Sequence, residues 1–410
     1  MLAVLNASQL VTLSGPARPR IGPEMRELGL VRNAGMLVRD GIVEKIGGSN
    51  EIARAVPRNA VVVDAEQRVI LPGFVDAHTH PVFAGDRIDE FERRASGATY
   101  EQIAASGGGI QSTVRKTRAA SEEELFIQAR KHAEWFLQCG TTTVEAKSGY
   151  GLSLEHELKI LRVIHELNAA SPIEFVPTFL GAHAFPSDEG DYVRLLIDEM
   201  LPRVSEQRLA EYCDIFCERG YFEIETARRI LTEAKRCGLK LRMHVDQVTN
   251  CGGADLAAEL GATTADHLEQ TEPDGIASLR AGGVQPVLLP ASVYALGKTR
   301  YPRARDMIDA GLAVVLATDF NPGSSPTPSL QMVLSLAATH MKMSVAEGLT
   351  ACTVNAAYSL GRGDSVGSLE PGKQANFGVF DCSDYRELGY WFGLSQTHSV
   401  YVRGEQVFQA

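Results

Sequence analysis

Residues 73–87 read GFVDAHTHPVFAGDR. An apolar run ends on two histidines, His78 and His80, and Arg87 follows seven residues later. Residues i and i+2 of a strand project to the same side, so both imidazoles converge at one strand end. No Gly-rich turn follows this strand, which argues against an open doubly wound sheet cradling a phosphate at its first crossover. The stretch instead suits the first strand of a barrel, with polar residues at its C-terminal rim.

Working outward, short apolar strands alternate with helical patterns. The candidate strands are 71–79, 140–147, 173–181, 212–218, 239–245, 262–268, 283–289 and 312–319. Helical periodicity lies between most of them, clearest over 153–170 and 224–238, where Gly238 supplies a stop. The runs VQPVLLP and LAVVLAT are apolar almost throughout, as parallel strands buried on both faces must be. Eight such alternations over 71–359 predict an α/β chain whose main body is a (β/α)₈ TIM barrel. The ends read differently. GMLVRDGIVEKIGG (35–48) is two strands joined at Asp40-Gly41, a hairpin signal. VGSLEPGKQANFGVFD (366–381) and HSVYVRGEQVFQA (398–410) form a second β-rich zone with an Arg403-Gly404 turn. Residues 1–70 and 360–410 are therefore expected to pair into one small accessory β domain.

Bulk properties bound the function. With 410 residues, 44% hydrophobic and 22% charged, the chain can bury a large core. Its net charge of -11 and lack of a basic run argue against nucleic acid as a partner. An anionic small molecule could still be held by one or two placed arginines. No apolar run reaches the roughly 20 residues of a membrane span, and MLAVLNASQLVTL lacks the basic start and cleavage site of a signal peptide. Seven scattered cysteines with no CxxC pair fit reduced thiols and a cytoplasmic location.

The strand ends carry the chemistry. Besides His78 and His80, the fifth strand presents His244, the sixth His267 and the eighth Asp319. One buried histidine is an ordinary core residue. Four separate strand ends each supplying a ligand type point to a metal site with room for water. Arg87 taken alone is a surface charge; beside a metal it is a candidate clamp for a carboxylate. Tyr150 and His183 sit at strand exits, either as loop anchors or as site groups. Lys147 is left unassigned between buried partner and surface residue. The run Asn321-Pro322-Gly323-Ser324-Ser325-Pro326 is either a rigid turn or a set of fixed donors beside the metal. SGGGI (106–110) reads as a connector or a lid.

These motifs carry a resemblance. VDAHTH, HVDQ, ADHLE, the TD of the eighth strand and the closing EPGKQANF together resemble the amidohydrolase superfamily. HTHPVFAGDR, SGGGI with TVRKTR, EAKSGYGL, LGAHAFP and ATDFNPGSSP narrow the resemblance to the imidazolonepropionase family, over most of the barrel and in order. The resemblance implies a composite β-sandwich built from the two termini. It implies one zinc or iron ion per chain, held by His78, His80, His244 and Asp319. It implies hydrolysis of 4-imidazolone-5-propanoate to N-formimino-L-glutamate in histidine degradation, and a possible homodimer. Carried over position by position, Arg87, Tyr150, His183, Gln247, Asn321, Gly323 and Ser324 match substrate contacts. Asp319 and His267 take the catalytic roles.

Two departures sharpen this. Deaminases of the superfamily place a glutamate where this chain has Gln247, and a carboxamide cannot relay a proton at neutral pH. Two-metal relatives carry a carboxylated lysine on the fourth strand; YCDIFCE (212–218) has none, which favours one metal. The alternatives are another cyclic-amide hydrolase, an aminohydrolase, or a barrel that has lost catalysis.

Overall fold

The computed structural model describes residues 1–98, 102, 107–186 and 191–410. The chain begins in a small sheet with β1 (Leu2–Val11), β2 (Leu30–Arg39), β3 (Ile42–Gly48), β4 (Val61–Asp64) and β5 (Val69–Pro72). Eight barrel strands follow: β6 (Phe74–Asp76), β7 (Thr141–Lys147), β8 (Glu174–Ala182), β9 (Tyr212–Cys217), β10 (Lys240–Val245), β11 (Thr264–His267), β12 (Gln285–Leu288) and β13 (Val315–Leu316). Then β14 (Phe377–Phe380), β15 (Thr397–Val402) and β16 (Glu405–Gln409) return to the small sheet. That sheet runs β16-β15-β14-β5-β1-β2-β3, with β4 beside β1, so both termini build it as expected.

Both hairpin signals hold for one physical reason. Asp40 and Gly41 have φ of 52° and 79°, and Arg403 and Gly404 have 50° and 74°. Two-residue hairpin turns of this hand need positive φ at both central positions, which Asp-Gly accepts cheaply.

The barrel is parallel throughout, ordered β6 to β13. Thr79 bridges Phe320 in parallel fashion and brings the first and last strands together. There Asp319 N donates to His78 O at 3.0 Å, and His80 N donates to Phe320 O at 2.8 Å. The closing seam of the barrel thus runs through three of the expected site residues. Helices cover the outside, among them Leu154–Ala170 and Ile224–Arg236, within two residues of expectation. Their apolar faces and the outer faces of the strands form one large core.

The strand expected at 71–79 is in fact two. β5 pairs with β1 and β14, whereas β6 pairs with β7. Gly73 is the junction, and a Cβ there would lie 2.3 Å from Thr142 Oγ1. One apolar run therefore serves two sheets, which periodicity cannot register. Of SGGGI, Ser106 lies outside the described residues. Gly109 precedes the helix Ile110–Ala119, and its amide donates to Glu90 Oε1 at 3.0 Å.

Candidate active site

Five side chains meet where the barrel strands end. His78 and His80 leave β6, His244 ends on β10, His267 closes β11, and Asp319 follows β13. All are buried. The His78 ring centroid lies 5.4 Å from that of His80, 4.4 Å from His244 and 5.6 Å from His267. Asp319 Oδ1 lies 3.6 Å from His78 Nε2 and 3.5 Å from His80 Nε2. Ligand atoms of His78, His80 and His244 lie within 4.8 Å of one another, as do those of His78, His267 and Asp319.

The other nitrogen of three of these rings faces a carboxylate, hydrogen-bonded at His78 and His267 and close without a hydrogen bond at His244. His78 Nδ1 lies 2.6 Å from Asp266 Oδ2, His244 Nδ1 3.0 Å from Asp214 Oδ2, and His267 Nδ1 3.4 Å from Glu269 Oε1. A carboxylate at Nδ1 takes its proton in hydrogen bonding and leaves the Nε2 lone pair for a metal. His78 Nε2 is buried without a hydrogen-bond partner, a cost that a bound cation removes. Burial holds His78 well below the ordinary imidazole range and His80 at about 4, so both are neutral donors. Burial also opposes ionisation of Asp319, but His80 and His267 outweigh it and keep the carboxyl below its usual range. For His267, burial pulls downward and Glu269 more than compensates, leaving it above the usual value. Imidazole nitrogens with one carboxylate suit a first-row divalent ion, and the residues fit such a group.

Beside this cluster lies a second, cationic edge. Arg87 Nε donates to Thr113 Oγ1 at 2.9 Å, from the helix Ile110–Ala119. The guanidinium lies over Gly323, where a Cβ would stand 2.2 Å from Nη1. Gly323 is therefore the bare floor under Arg87 as well as a candidate contact. Tyr150 is buried, its ring 5.9 Å from His80 and 5.5 Å from His183. His183 stacks on His80 at 5.1 Å, and its Nδ1 is bonded to Gly149 O at 3.0 Å. Gln247 is half-buried in the loop after β10.

The loop after β13 is self-bonded. Asn321 Nδ2 donates to Asp319 O at 2.6 Å and to Ser324 Oγ at 2.8 Å, and its Oδ1 accepts from the amides of Gly323 and Ser324 at 2.8 Å each. Ser324 Oγ in turn lies 3.4 Å from Asp319 Oδ2. The side chain of Asn321 is spent on holding the loop, and Ser324 is aimed at Asp319.

The amidohydrolase family pattern matches residues 69–407. An imidazolonepropionase from Solibacter usitatus is 59% identical over 99% of this chain and 98% of its own length. One from Geobacillus kaustophilus is 46% identical over 99% and 97%. This chain belongs to the amidohydrolase family, in its imidazolonepropionase branch. Among solved structures, a 5-methylcytosine deaminase from Klebsiella pneumoniae with phosphonocytosine superposes with a TM-score of 0.76 at 17% identity, over 100% of this chain and 98% of that one. A zinc-bound adenosine deaminase from Xanthomonas campestris gives 0.74 at 19%, over 99% and 92%. At such identities these two speak for the amidohydrolase fold alone.

Several residues of this amidohydrolase site escape a reading of the sequence. Asp214, Asp266 and Glu269 stand against Nδ1 of His244, His78 and His267. Thr113 anchors Arg87. Glu157, fully buried, accepts from the amides of Gly149, Gly151 and Leu152 at 2.9, 2.7 and 2.8 Å and so fixes the turn that carries Tyr150. Asp266 could have been found, since it immediately precedes His267 in a short barrel strand that is buried throughout, where an ionisable residue needs a partner. Thr113 and Glu157 carry no such signal.

Proposed function

We infer that this chain hydrolyses 4-imidazolone-5-propanoate to N-formimino-L-glutamate, an enzyme step of histidine degradation. The observation that carries the reading is full-length identity of 59% to an imidazolonepropionase. An arginine placed beside a histidine-carboxylate cluster suits a small substrate carrying a carboxylate. The site takes one metal ion, zinc or iron, through His78, His80, His244 and Asp319. We read the enzyme as cytoplasmic; among the described residues no helix is long and apolar enough to cross a membrane.

The bound metal supplies a Lewis acid that acidifies a water and polarises the ring carbonyl. Arg87 and Tyr150 hold the propionate and so orient the ring over the histidine cluster. His183 and Gln247 bond the polar edge of the ring. Asp319 accepts the proton of the attacking water while its oxygen adds to the ring carbonyl carbon. His267, kept basic by Glu269, donates a hydrogen bond to the oxygen that becomes negative. The ring C–N bond breaks, Asp319 returns the proton to the departing nitrogen, and the former carbonyl is left as the α-carboxylate. Gln247 orients but carries no proton, which separates this site from that of an aminohydrolase.

The purified protein should consume 4-imidazolone-5-propanoate, lose activity to a chelator and contain about one metal per chain. Inertness toward this compound, combined with ammonia release from guanine or cytosine, would overturn the reading.

A further inference from the structure

Beneath the ligand histidines, five ionisable side chains are fully buried together: Glu145 and Lys147 on β7, Asp214 on β9, Arg242 on β10 and Asp266 on β11. Three carboxylates face two cations inside the barrel. Lys147 Nζ donates to Glu145 Oε1 at 2.7 Å and to Asp214 Oδ2 at 2.6 Å, and lies 3.9 Å from Asp266 Oδ2. Asp214 Oδ2 and Asp266 Oδ2 are also the oxygens set against His244 Nδ1 and His78 Nδ1, at 3.0 and 2.6 Å. Arg242 is the nearer cation to Asp266. It donates to Ala77 O at 2.7 Å and to Ser359 O at 3.2 Å, and stands 3.6 Å from Glu145 and Asp266.

A buried ammonium is expensive to desolvate, and the barrel could have closed on apolar residues there. This one hydrogen-bonds Asp214, which is set against His244, and stands 3.9 Å from Asp266, which is set against His78. Carboxylates behind metal-ligating imidazoles fix ring orientation and donor strength, and they must themselves be held against mutual repulsion in a low dielectric. We propose that Lys147 is a positioning residue of the metal centre: its ammonium bonds Asp214 behind His244 and, with Arg242, offsets the charge of Asp266 behind His78, so that both histidines present Nε2 to a single ion. The proposal rests on the reading of both histidines as ligands. Lys147 itself touches neither substrate nor metal.

Zinc alone is the probe, titrated against a chromophoric chelator. Stoichiometric binding by the native chain tests the ligand reading by itself. Lys147→Met removes the ammonium. Glu145→Gln/Lys147→Met removes one charge of each sign and keeps the balance of the cluster. Each folded variant is expected to bind zinc about tenfold to a hundredfold more weakly, the usual effect of losing a partner behind a ligand. The visible spectrum of the cobalt-substituted protein should also shift, a readout a merely structural lysine leaves unchanged. A native chain that binds zinc no more than twofold tighter than the paired variant, with identical cobalt spectra, overturns this proposal and spares the metal site. A native chain that holds no zinc removes both. Failure of both variants to fold also overturns it, because the lysine is then structural.

Discussion

Gly323→Ala tests the proposed substrate clamp apart from the proposed metal site. The added Cβ would stand 2.2 Å from Arg87 Nη1, 2.7 Å from Cζ and 3.3 Å from Nε. Ordinary carbon–nitrogen contact begins near 3.5 Å, so the guanidinium has to move by about 1 Å or more. Gly323 is absent from the residues with positive φ, so the backbone itself accepts alanine. The atom displaced is the end of a flexible side chain, so folding should lose little, under about 1 kcal/mol. The loss falls on Arg87. Its bond to Thr113 is 2.9 Å long and tolerates little displacement. Losing one charge-assisted hydrogen bond to the substrate carboxylate costs about 1.5–3 kcal/mol, a rise in KM of about ten- to a hundredfold. Because no ligand residue moves, kcat should change by less than about threefold. Steady-state kinetics on 4-imidazolone-5-propanoate measure both, and thermal denaturation checks the fold. Unchanged KM in a folded variant would refute the clamp. So would an equal loss of kcat with KM constant, which would place Arg87 in the chemistry rather than in binding.

Three further outcomes are expected. Asp266→Asn should weaken zinc binding about tenfold or more, measured by chelator competition, because His78 Nδ1 loses a carboxylate 2.6 Å away. Glu157→Gln sets an amide N–H₂ against one of the three backbone N–H groups that now point at the carboxylate. It should cost about 1–3 kcal/mol by urea denaturation and lower kcat/KM through Tyr150; wild-type stability would contradict the bonding described. Burial holds His80 at about 4 in the metal-free chain, below its ordinary value, so the unfolded chain binds more protons than the folded one between about 4 and 6.5. Stability of the metal-free protein is therefore complete above about 6.5 and falls as the pH drops toward 4, by about 3 kcal/mol from this group. His80→Asn should show a shallower acid loss than the native apoprotein, and parallel curves would refute the assignment.

The barrel was legible because its rule is local: a parallel strand reads as an apolar run, and the residues at and just past its end face the rim. His78, His80, His244, His267 and Asp319 could be read that way one by one. Two things could not. The split at Gly73 depends on Thr142, nearly seventy residues away, and a run that serves two sheets looks like one strand. Lys147 in a buried strand looks, by type, like a surface residue; only Asp214 and Glu145, at 2.6 and 2.7 Å, turn it into a core member. Such partners are fixed by barrel geometry, not by spacing along the chain.

The backbone at the rim adds a constraint that side-chain types conceal. His267, Leu268 and Asp319 all have positive φ, at 79°, 67° and 55°, as does Asp246 after β10, at 52°. None is glycine, and each such conformation costs of order 1 kcal/mol. Three strands, β10, β11 and β13, therefore leave the barrel through left-handed turns beside the histidine–carboxylate cluster. An extended exit would carry the chain straight off the rim and let consecutive side chains alternate away from the centre. The left-handed turn bends the chain at once, and in two of the three exits the ring or carboxylate stays aimed inward. Asp246 shows what keeps the third exit in place. Its carboxylate accepts from Thr271 Oγ1 at 2.7 Å and from Gly253 N at 3.3 Å, tying the turns after β10 and β11 together. Strain at Asp246 is thus balanced by hydrogen bonds made just outside the rim, and the directions of His267 and Asp319 are set by the backbone.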